Sequence, residues 1–210
     1  MSRTDPRYRE PVQLDTAAGP AETDLRKPRG ARFLLILTHG AGGGVDARDL
    51  LTVRDAALEL GGAVALVTQP YRVAGRRAPG SVPAQDAAWL EVVAALRKKV
   101  RTGPLLVGGR SNGARLACRT AVQAGAKGVV ALSFPLHPPG KPERSRRDEL
   151  LAARPVEVLV VNGARDPFGI PDPADAAEVV VIPGQPHSYR AGFDQIAAAV
   201  TPWLTRWSAK

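Results

Sequence analysis

Short runs of consecutive apolar residues alternate along this chain with longer stretches in which apolar residues recur every three or four positions. Runs of about five apolar residues are typical of strands that are buried on both faces of a sheet. They predict strands at residues 33–37, 63–67, 105–107, 128–132, 156–161 and 178–182. The periodic stretches predict helices at residues 49–60, 86–100, 114–124 and 193–207, with a shorter helix around Asp148 and a loop at residues 69–83. This alternation predicts an α/β fold with a mostly parallel, doubly wound sheet and helices on both faces.

The chain of 210 residues has the length of one domain. Residues 1–30 are rich in proline and charge and contain one short alternating piece, so they predict either a tail or an edge hairpin. Residues 31–210 predict a single α/β domain.

Cysteine content and hydropathy indicate the cellular compartment in which the protein is expected. The single Cys118 excludes an internal disulfide and is compatible with a reducing compartment, as a small buried residue. Residues 1–30 do not resemble a signal peptide, and the longest apolar runs are far too short to span a bilayer. We therefore expect a cytoplasmic protein without a membrane partner.

The formal net charge of +9 raises the question of a nucleic-acid partner. The arginines are scattered, the densest groups lie around residues 72–77 and 144–147, and no aromatic residues for base stacking are interleaved with them. A solvated, arginine-rich surface is the favoured interpretation, and we expect no nucleic-acid partner. Weak attraction of polyanions, or a loop arginine that meets an anionic substrate, is the alternative.

Residues 109–113 read Gly-Arg-Ser-Asn-Gly, a G-x-S-x-G pattern between a predicted strand and a predicted helix. A serine at such a turn is held above the sheet with its hydroxyl exposed. The flanking glycines suit the sharp turn and the close backbone approach that it requires. The pattern predicts Ser111 as a nucleophile, against the alternative of a glycine-rich turn with a capping serine.

A serine nucleophile needs a base within hydrogen-bond reach and an acid that orients the base. His187 follows the last predicted strand, and Asp166 lies shortly after the strand before it. Asp172 and Asp175 are rival acids, although their surroundings are typical of turn and cap residues. The order Ser, Asp, His is that of an α/β-hydrolase.

Residues 38–44 form a glycine-rich segment after the first parallel strand. Backbone N–H groups there can stabilise the negative charge that acyl transfer develops on the substrate oxygen. Ala41 or Gly42 would supply one donor and Asn112 the other. A phosphate-binding loop is disfavoured, since no Gly-Lys-Ser/Thr ending or dinucleotide fingerprint is present. His39 is interpreted as a structural residue, and His137 as either a structural residue or a residue of the pocket rim.

Six segments together carry a family resemblance: residues 39–44, 69–72, 109–113, 134–140, 163–169 and 187–188. The chain resembles small α/β-hydrolases of the dienelactone-hydrolase-like kind. It is most similar to the group that includes testis-expressed hydrolase-like proteins and the hydrolase-like subunit of an animal histone-acetyltransferase complex. The resemblance implies the fold and the triad Ser111, Asp166 and His187. Some relatives act as assembly subunits, and relatives often carry Met or another apolar residue where this chain has Asn112.

The interval available for a lid, about twenty residues after residue 134, is short and predicts a shallow, accessible cleft. The candidate walls and rim residues of this cleft are Tyr71, Arg72, Arg110, Phe134, Leu136 and Phe168. The sequence favours a serine hydrolase acting on small esters or thioesters, without a cofactor or a metal. The alternatives are a hydrolase-fold scaffold with little activity and a nucleotide- or polyanion-binding module. The choice between esterase, thioesterase and lactonase and the oligomeric state stay open.

Overall fold

A computed structural model describes residues 10–208 of the chain. Eight strands form one sheet in the order β1-β2-β4-β3-β5-β6-β7-β8, in which β3 to β8 are parallel to one another. In chain order, the strands span Glu10–Thr16, Gly19–Arg26, Leu34–Thr38, Ala63–Thr68, Leu105–Arg110, Gly128–Leu132, Glu157–Gly163 and Glu178–Ile182. The predicted α/β fold class is confirmed.

Helices cover both faces of this sheet. In chain order, α1 to α6 span Arg48–Glu59, Pro70–Val73, Val82–Lys99, Asn112–Thr120, Arg147–Leu151 and Phe193–Ser208. Successive side chains of a strand point to opposite faces of a sheet. Leu34 and Ile36 of β3 therefore pack into the core on the side of α3 and α4, whereas Leu35 and Leu37 pack into the core on the side of α1 and α6. Burial on both faces explains why the strands read as continuous apolar runs.

The segment from residue 10 to residue 26 forms an antiparallel hairpin of β1 and β2, and β2 pairs antiparallel with β4. This is the edge hairpin that the sequence offered as one of two alternatives for residues 1–30. Residues 1–9 of that segment and residues 209–210 of the predicted domain lie outside the described residues.

The predicted loop at residues 69–83 was wrong at both of its ends. Helix α2 occupies residues 70–73, and α3 begins at Val82 rather than at Asp86. Ser81 caps α3 by accepting a hydrogen bond from the backbone N–H of Ala84. The first turn of α3 carries exposed residues, so the apolar periodicity that marks the rest of this helix is absent there.

Between β6 and β7 the chain forms turns and the five-residue helix α5, so the lid is minimal, as predicted. None of the helices within residues 10–208 is long and apolar enough to cross a membrane.

Candidate active site

Ser111 occupies the sharp turn between β5 and α4. Its backbone has φ 53° and ψ −112°, in the region that favours glycine. The two glycines of the motif are close to the neighbouring backbone. A Cβ atom at Gly113 would lie 2.6 Å from the carbonyl oxygen of Thr38, and one at Gly109 would lie 2.7 Å from the same oxygen. The motif therefore needs glycine at both positions because no side chain fits there.

His187 lies within hydrogen-bond distance of both Ser111 and Asp166. Its Nε2 is 2.9 Å from Ser111 Oγ, and its Nδ1 is 2.8 Å from Asp166 Oδ2. An ionised carboxylate only accepts hydrogen bonds, so Nδ1 carries the proton and Nε2 is free to accept the serine proton. The buried Asp166 is held in turn, since its Oδ1 accepts a hydrogen bond from the N–H of Phe168 at 2.9 Å. The structure thus brings the three predicted side chains into one hydrogen-bonded chain.

The two rival carboxylates make other contacts. Asp172 accepts a hydrogen bond from the N–H of Ala174 at the start of a short 3₁₀ helix, as a cap residue. Asp175 forms a bidentate ion pair with Arg147, with N–O distances of 2.6 and 2.7 Å. Neither is hydrogen-bonded to His187.

A second network holds the backbone of His187 in place. The carbonyl oxygen of His187 accepts hydrogen bonds from Ser133 Oγ at 2.9 Å and from Arg110 Nη2 at 3.2 Å. Arg110 Nη2 also donates to Ser188 Oγ at 2.7 Å, and its Nε lies 2.8 Å from the carboxylate of Asp49. Arg110 was predicted as a rim residue for an anionic substrate, but its guanidinium binds groups of the protein itself.

Sequence reasoning missed Asp49 and Ser133. Asp49 is a buried carboxylate in the first turn of α1, where an acidic residue is ordinary and gives no signal of a long-range partner. Burial raises the pKa of Asp49, and the charge of Arg110 opposes that rise. Ser133 has φ 47°, a conformation that no sequence pattern predicted.

This ion pair gives a stability prediction. Arg110→Met leaves the Asp49 carboxylate buried without its cation, so we expect the free energy of unfolding to fall by about 3 kcal/mol. The double variant Arg110→Met/Asp49→Leu removes both charges and is expected to regain most of that loss. Urea unfolding curves measure both values. Equal stability of the single and double variants would contradict the prediction.

The glycine-rich loop after β3 is fixed by two aromatic side chains. The buried His39 accepts a hydrogen bond from the N–H of Gln69 on Nε2 at 3.0 Å, so its Nδ1 donates to the Gly40 carbonyl at 2.8 Å. Tyr71 donates from its hydroxyl to the Ala41 carbonyl at 3.0 Å. Burial raises the pKa of Tyr71 to about 12, against the opposing charge of Arg72, so the hydroxyl keeps its proton. These contacts fit the structural interpretation of His39.

The three residues predicted for the oxyanion hole lie in different surroundings. Asn112 is the first residue of α4, so its N–H has no acceptor within the helix. The loop approaches the nucleophile at Gly40, where an added Cβ would lie 3.3 Å from Ser111 Cβ. Ala41 follows directly, with its carbonyl bound to Tyr71, whereas Gly42 is exposed.

The neutral His39 predicts a pH dependence of stability. Burial lowers the pKa of His39 from its ordinary value of 6.5, so below that pH the unfolded chain binds a proton that the folded chain does not. Stability should therefore fall as the pH drops below about 6.5, by up to about 1.4 kcal/mol per pH unit from this group. His39→Gln, which keeps a neutral acceptor, should lose less stability than the wild type between about pH 7 and pH 5 in urea unfolding. His137, which is partly exposed, is the control. If His137→Asn reduced the loss of stability at low pH as much as His39→Gln does, the assignment to His39 would be contradicted.

The predicted wall residues are not all at the site. The ring of Phe168 packs on that of His187, with centroids 4.2 Å apart, and Leu136 is partly exposed nearby, beside Gly169. Phe134 has no exposed surface and packs in the core with residues of α4, so the expectation that it forms a wall is corrected. Residues before and after it in sequence are polar or turn residues, which hid its inward orientation.

The two remaining wall residues lie on α2. Arg72 donates to the carbonyl of Arg76 at 3.2 Å, and Tyr71 is almost fully buried under the glycine-rich loop. Among the described residues, the His, Cys, Asp and Glu side chains form no group of three suited to a metal ion.

Known proteins share this architecture. The family described as an alpha/beta hydrolase domain matches residues 31–191. A comparison with curated proteins gave no match.

Among solved structures, an α/β serine hydrolase without a lid from Xanthomonas campestris is 20% identical, with a TM-score of 0.73 and 96% of each chain covered. Est1E from Butyrivibrio proteoclasticus, also solved with ferulic acid bound, is 18% identical, with a TM-score of 0.77, covering 95% of this chain and 99% of Est1E. Dienelactone hydrolase from Anabaena variabilis is 16% identical, with a TM-score of 0.74, covering 95% and 97%. At these identities the structural likeness shows the fold.

Proposed function

The chain belongs to the alpha/beta hydrolase family, and from that premise we propose that it is a serine hydrolase that cleaves small carboxylic esters or thioesters through an acyl-enzyme on Ser111. The observation that carries the proposal is the chain of hydrogen bonds from Ser111 through His187 to Asp166, at 2.9 and 2.8 Å. The three groups reach this geometry from three separate loops at the carboxyl ends of β5, β7 and β8.

In the proposed reaction, Ser111 Oγ attacks the carbonyl carbon of the substrate while His187 Nε2 takes the hydroxyl proton. Asp166 holds the imidazole in the required tautomer and stabilises the positive charge that the ring acquires. His187 then gives the proton to the leaving alcohol or thiol, and the acyl group stays on Ser111. A water molecule, deprotonated by the same Nε2, releases the carboxylic acid and restores the serine.

Negative charge develops on the substrate oxygen during both steps. The backbone N–H of Asn112 is aimed past the N-terminus of α4, and we assign it as one donor. Ala41 supplies the second donor, since it follows Gly40 at the contact with Ser111 and its peptide is anchored by Tyr71. Gly42 stays the alternative. Each such donor lowers the barrier by about 3 kcal/mol.

The minimal lid and the structural neighbours support esters as the substrate class. One neighbour is named as a dienelactone hydrolase, and another has been solved with ferulic acid bound. From the six sequence motifs we also propose that, within the family, this chain is related to the testis-expressed hydrolase-like group.

A fluorophosphonate probe tests the proposal, because it reacts with serines that have an activating base. We expect one adduct on Ser111, found by mass spectrometry of the digested protein, and no adduct on Ser111→Ala or His187→Ala. Ser188→Ala, which removes the serine next to the base, should still be labelled. A folded wild-type protein that takes up no probe would overturn the enzyme and favour a scaffold.

A further inference from the structure

A cavity of ≈ 190 Å³ lies beside the proposed active site, between the β1–β2 turn, α2 and α3. Neither Ser111 nor His187 lines it. Most of its wall is apolar and is formed by Val67, Tyr71, Ala84, Ala88, Trp89 and Val92. An apolar cavity of about 150 Å³ is large enough to bind benzene, so this one has room for a single substituted ring.

The polar part of the wall includes one side-chain acceptor whose orientation is fixed by a chain of hydrogen bonds. Thr38 Oγ1 donates to the carbonyl of Val67, so it can only accept from Gln69 Nε2 at 3.1 Å. Gln69 therefore turns its Oε1 to Gln85, which must present its own amide N–H₂, at 2.7 Å. Gln85 Oε1 is left over, and no donor within residues 10–208 is hydrogen-bonded to it.

Gln85 is only 9% exposed and lines the cavity. Its Oε1 is not among the fully buried atoms without a partner, so it contacts solvent, and a ligand hydroxyl that binds it takes the place of water. The wall thus offers a ligand an apolar surface that accepts a ring and an acceptor that can bind a hydroxyl, and the exposed Arg76 also lines it. A charged ligand is therefore the alternative that the titrations must separate from an uncharged one.

We propose that this cavity binds a small, uncharged aromatic or branched aliphatic alcohol, with its hydroxyl donating to Gln85 Oε1 and its apolar body packed between Tyr71 and Trp89. The cavity is separate from the cleft at Ser111. Tyr71 connects the two, because its ring lines the cavity and its hydroxyl binds the carbonyl of Ala41.

This connection gives the cavity a role in the reaction, and that part of the inference rests on the proposed function. Hydrolysis of an ester releases an alcohol, which is the ligand class that the wall selects. An alcohol packed against the ring of Tyr71 would change the position from which its hydroxyl holds the Ala41 carbonyl, and so would shift the loop that supplies the Ala41 donor. The cavity would then lower turnover when alcohol accumulates.

Binding is tested without catalysis, by ¹⁹F NMR titration of the purified protein. 4-Fluorophenol supplies the ring and the donor, 4-fluoroanisole lacks the donor, and 4-fluorobenzoate carries a charge. We expect 4-fluorophenol to bind roughly fivefold more tightly than 4-fluoroanisole, which is the net value of a typical hydrogen bond. Gln85→Met should weaken 4-fluorophenol roughly fivefold and leave 4-fluoroanisole unchanged.

Two alanines on α3 locate the site. Ala84 lines the cavity and Ala87 does not, although both are exposed. Ala84→Leu fills the cavity and should weaken every ring ligand by roughly tenfold, whereas Ala87→Leu should have no effect. Equal effects of the two substitutions, no binding of 4-fluorophenol to the wild type, or tighter binding of 4-fluorobenzoate than of 4-fluorophenol would each overturn the proposal.

A last titration separates this cavity from the Ser111 cleft. Protein blocked at Ser111 by the fluorophosphonate should keep its affinity for 4-fluorophenol, and loss of binding would show that the phenol occupies the cleft. If the probe fails to label Ser111, the proposed function fails, but the titrations of the unblocked protein and its variants still decide whether the cavity binds alcohols.

Discussion

Ser111→Ala is expected to reduce kcat for hydrolysis of a p-nitrophenyl ester by about five to six orders of magnitude, with little change in the folded structure. The serine donates its hydroxyl proton to His187 at 2.9 Å, and without that hydroxyl no acyl-enzyme can form. Residual activity should come only from binding and from the backbone donors. Steady-state kinetics measures the loss, and circular dichroism shows that the variant is folded.

A double variant tests whether the three residues act together. If Ser111, His187 and Asp166 act as one unit, the double variant Ser111→Ala/His187→Ala should be about as slow as either single variant. Asp166→Asn, which disturbs the tautomer of His187, should cost about four orders of magnitude. Ser145→Ala, an exposed serine on the α5 side of the molecule, is the matched control and should keep full activity. Losses that multiply across the first two sites would contradict a single catalytic unit.

Gly113→Ala is expected to lower the free energy of unfolding by about 3 kcal/mol or more, although it adds only one methyl group. The added Cβ would lie 2.6 Å from the carbonyl oxygen of Thr38 and 2.8 Å from that of His39. Both contacts are backbone atoms, which cannot rotate away, so β3 and α4 must separate. Because this movement also shifts Ser111, esterase activity should fall with stability.

The matched control is Gly80→Ala, where an added Cβ meets nothing within 4 Å. Its free energy of unfolding should change by no more than about 0.5 kcal/mol in urea unfolding. If Gly80→Ala lost as much stability as Gly113→Ala, the loss would come from replacing a flexible glycine and not from the contact between the added Cβ and the backbone of β3.

Local patterns were sufficient for most of the architecture. Parallel strands buried on both faces are continuous apolar runs, and residues 128–132 and 178–182 were predicted with their observed bounds. The candidate nucleophile, base and acid could be selected because each follows a predicted strand, and the carboxyl ends of parallel strands meet at one edge.

Local sequence patterns could not predict the contacts between distant segments. Arg110 has the same type of neighbours as an exposed loop arginine, and its ion pair with Asp49 joins residues that are 61 positions apart. The inward orientation of Phe134 and the turn of α3 at Val82 likewise depend on packing rather than on local spacing. The cavity at Gln85 arises between three elements, and no single stretch of sequence describes it.

The order in which the reactive groups occur along the chain has a consequence for biosynthesis. His187 follows Ser111 by 76 positions, after β8 has been laid against β7. A nascent polypeptide that has emerged from the ribosome only as far as the loop after β7 carries Ser111 and Asp166 but lacks His187, the residue that joins them. Under the proposed function, such an incomplete product cannot hydrolyse esters, and activity begins only when the segment after the final strand is in place.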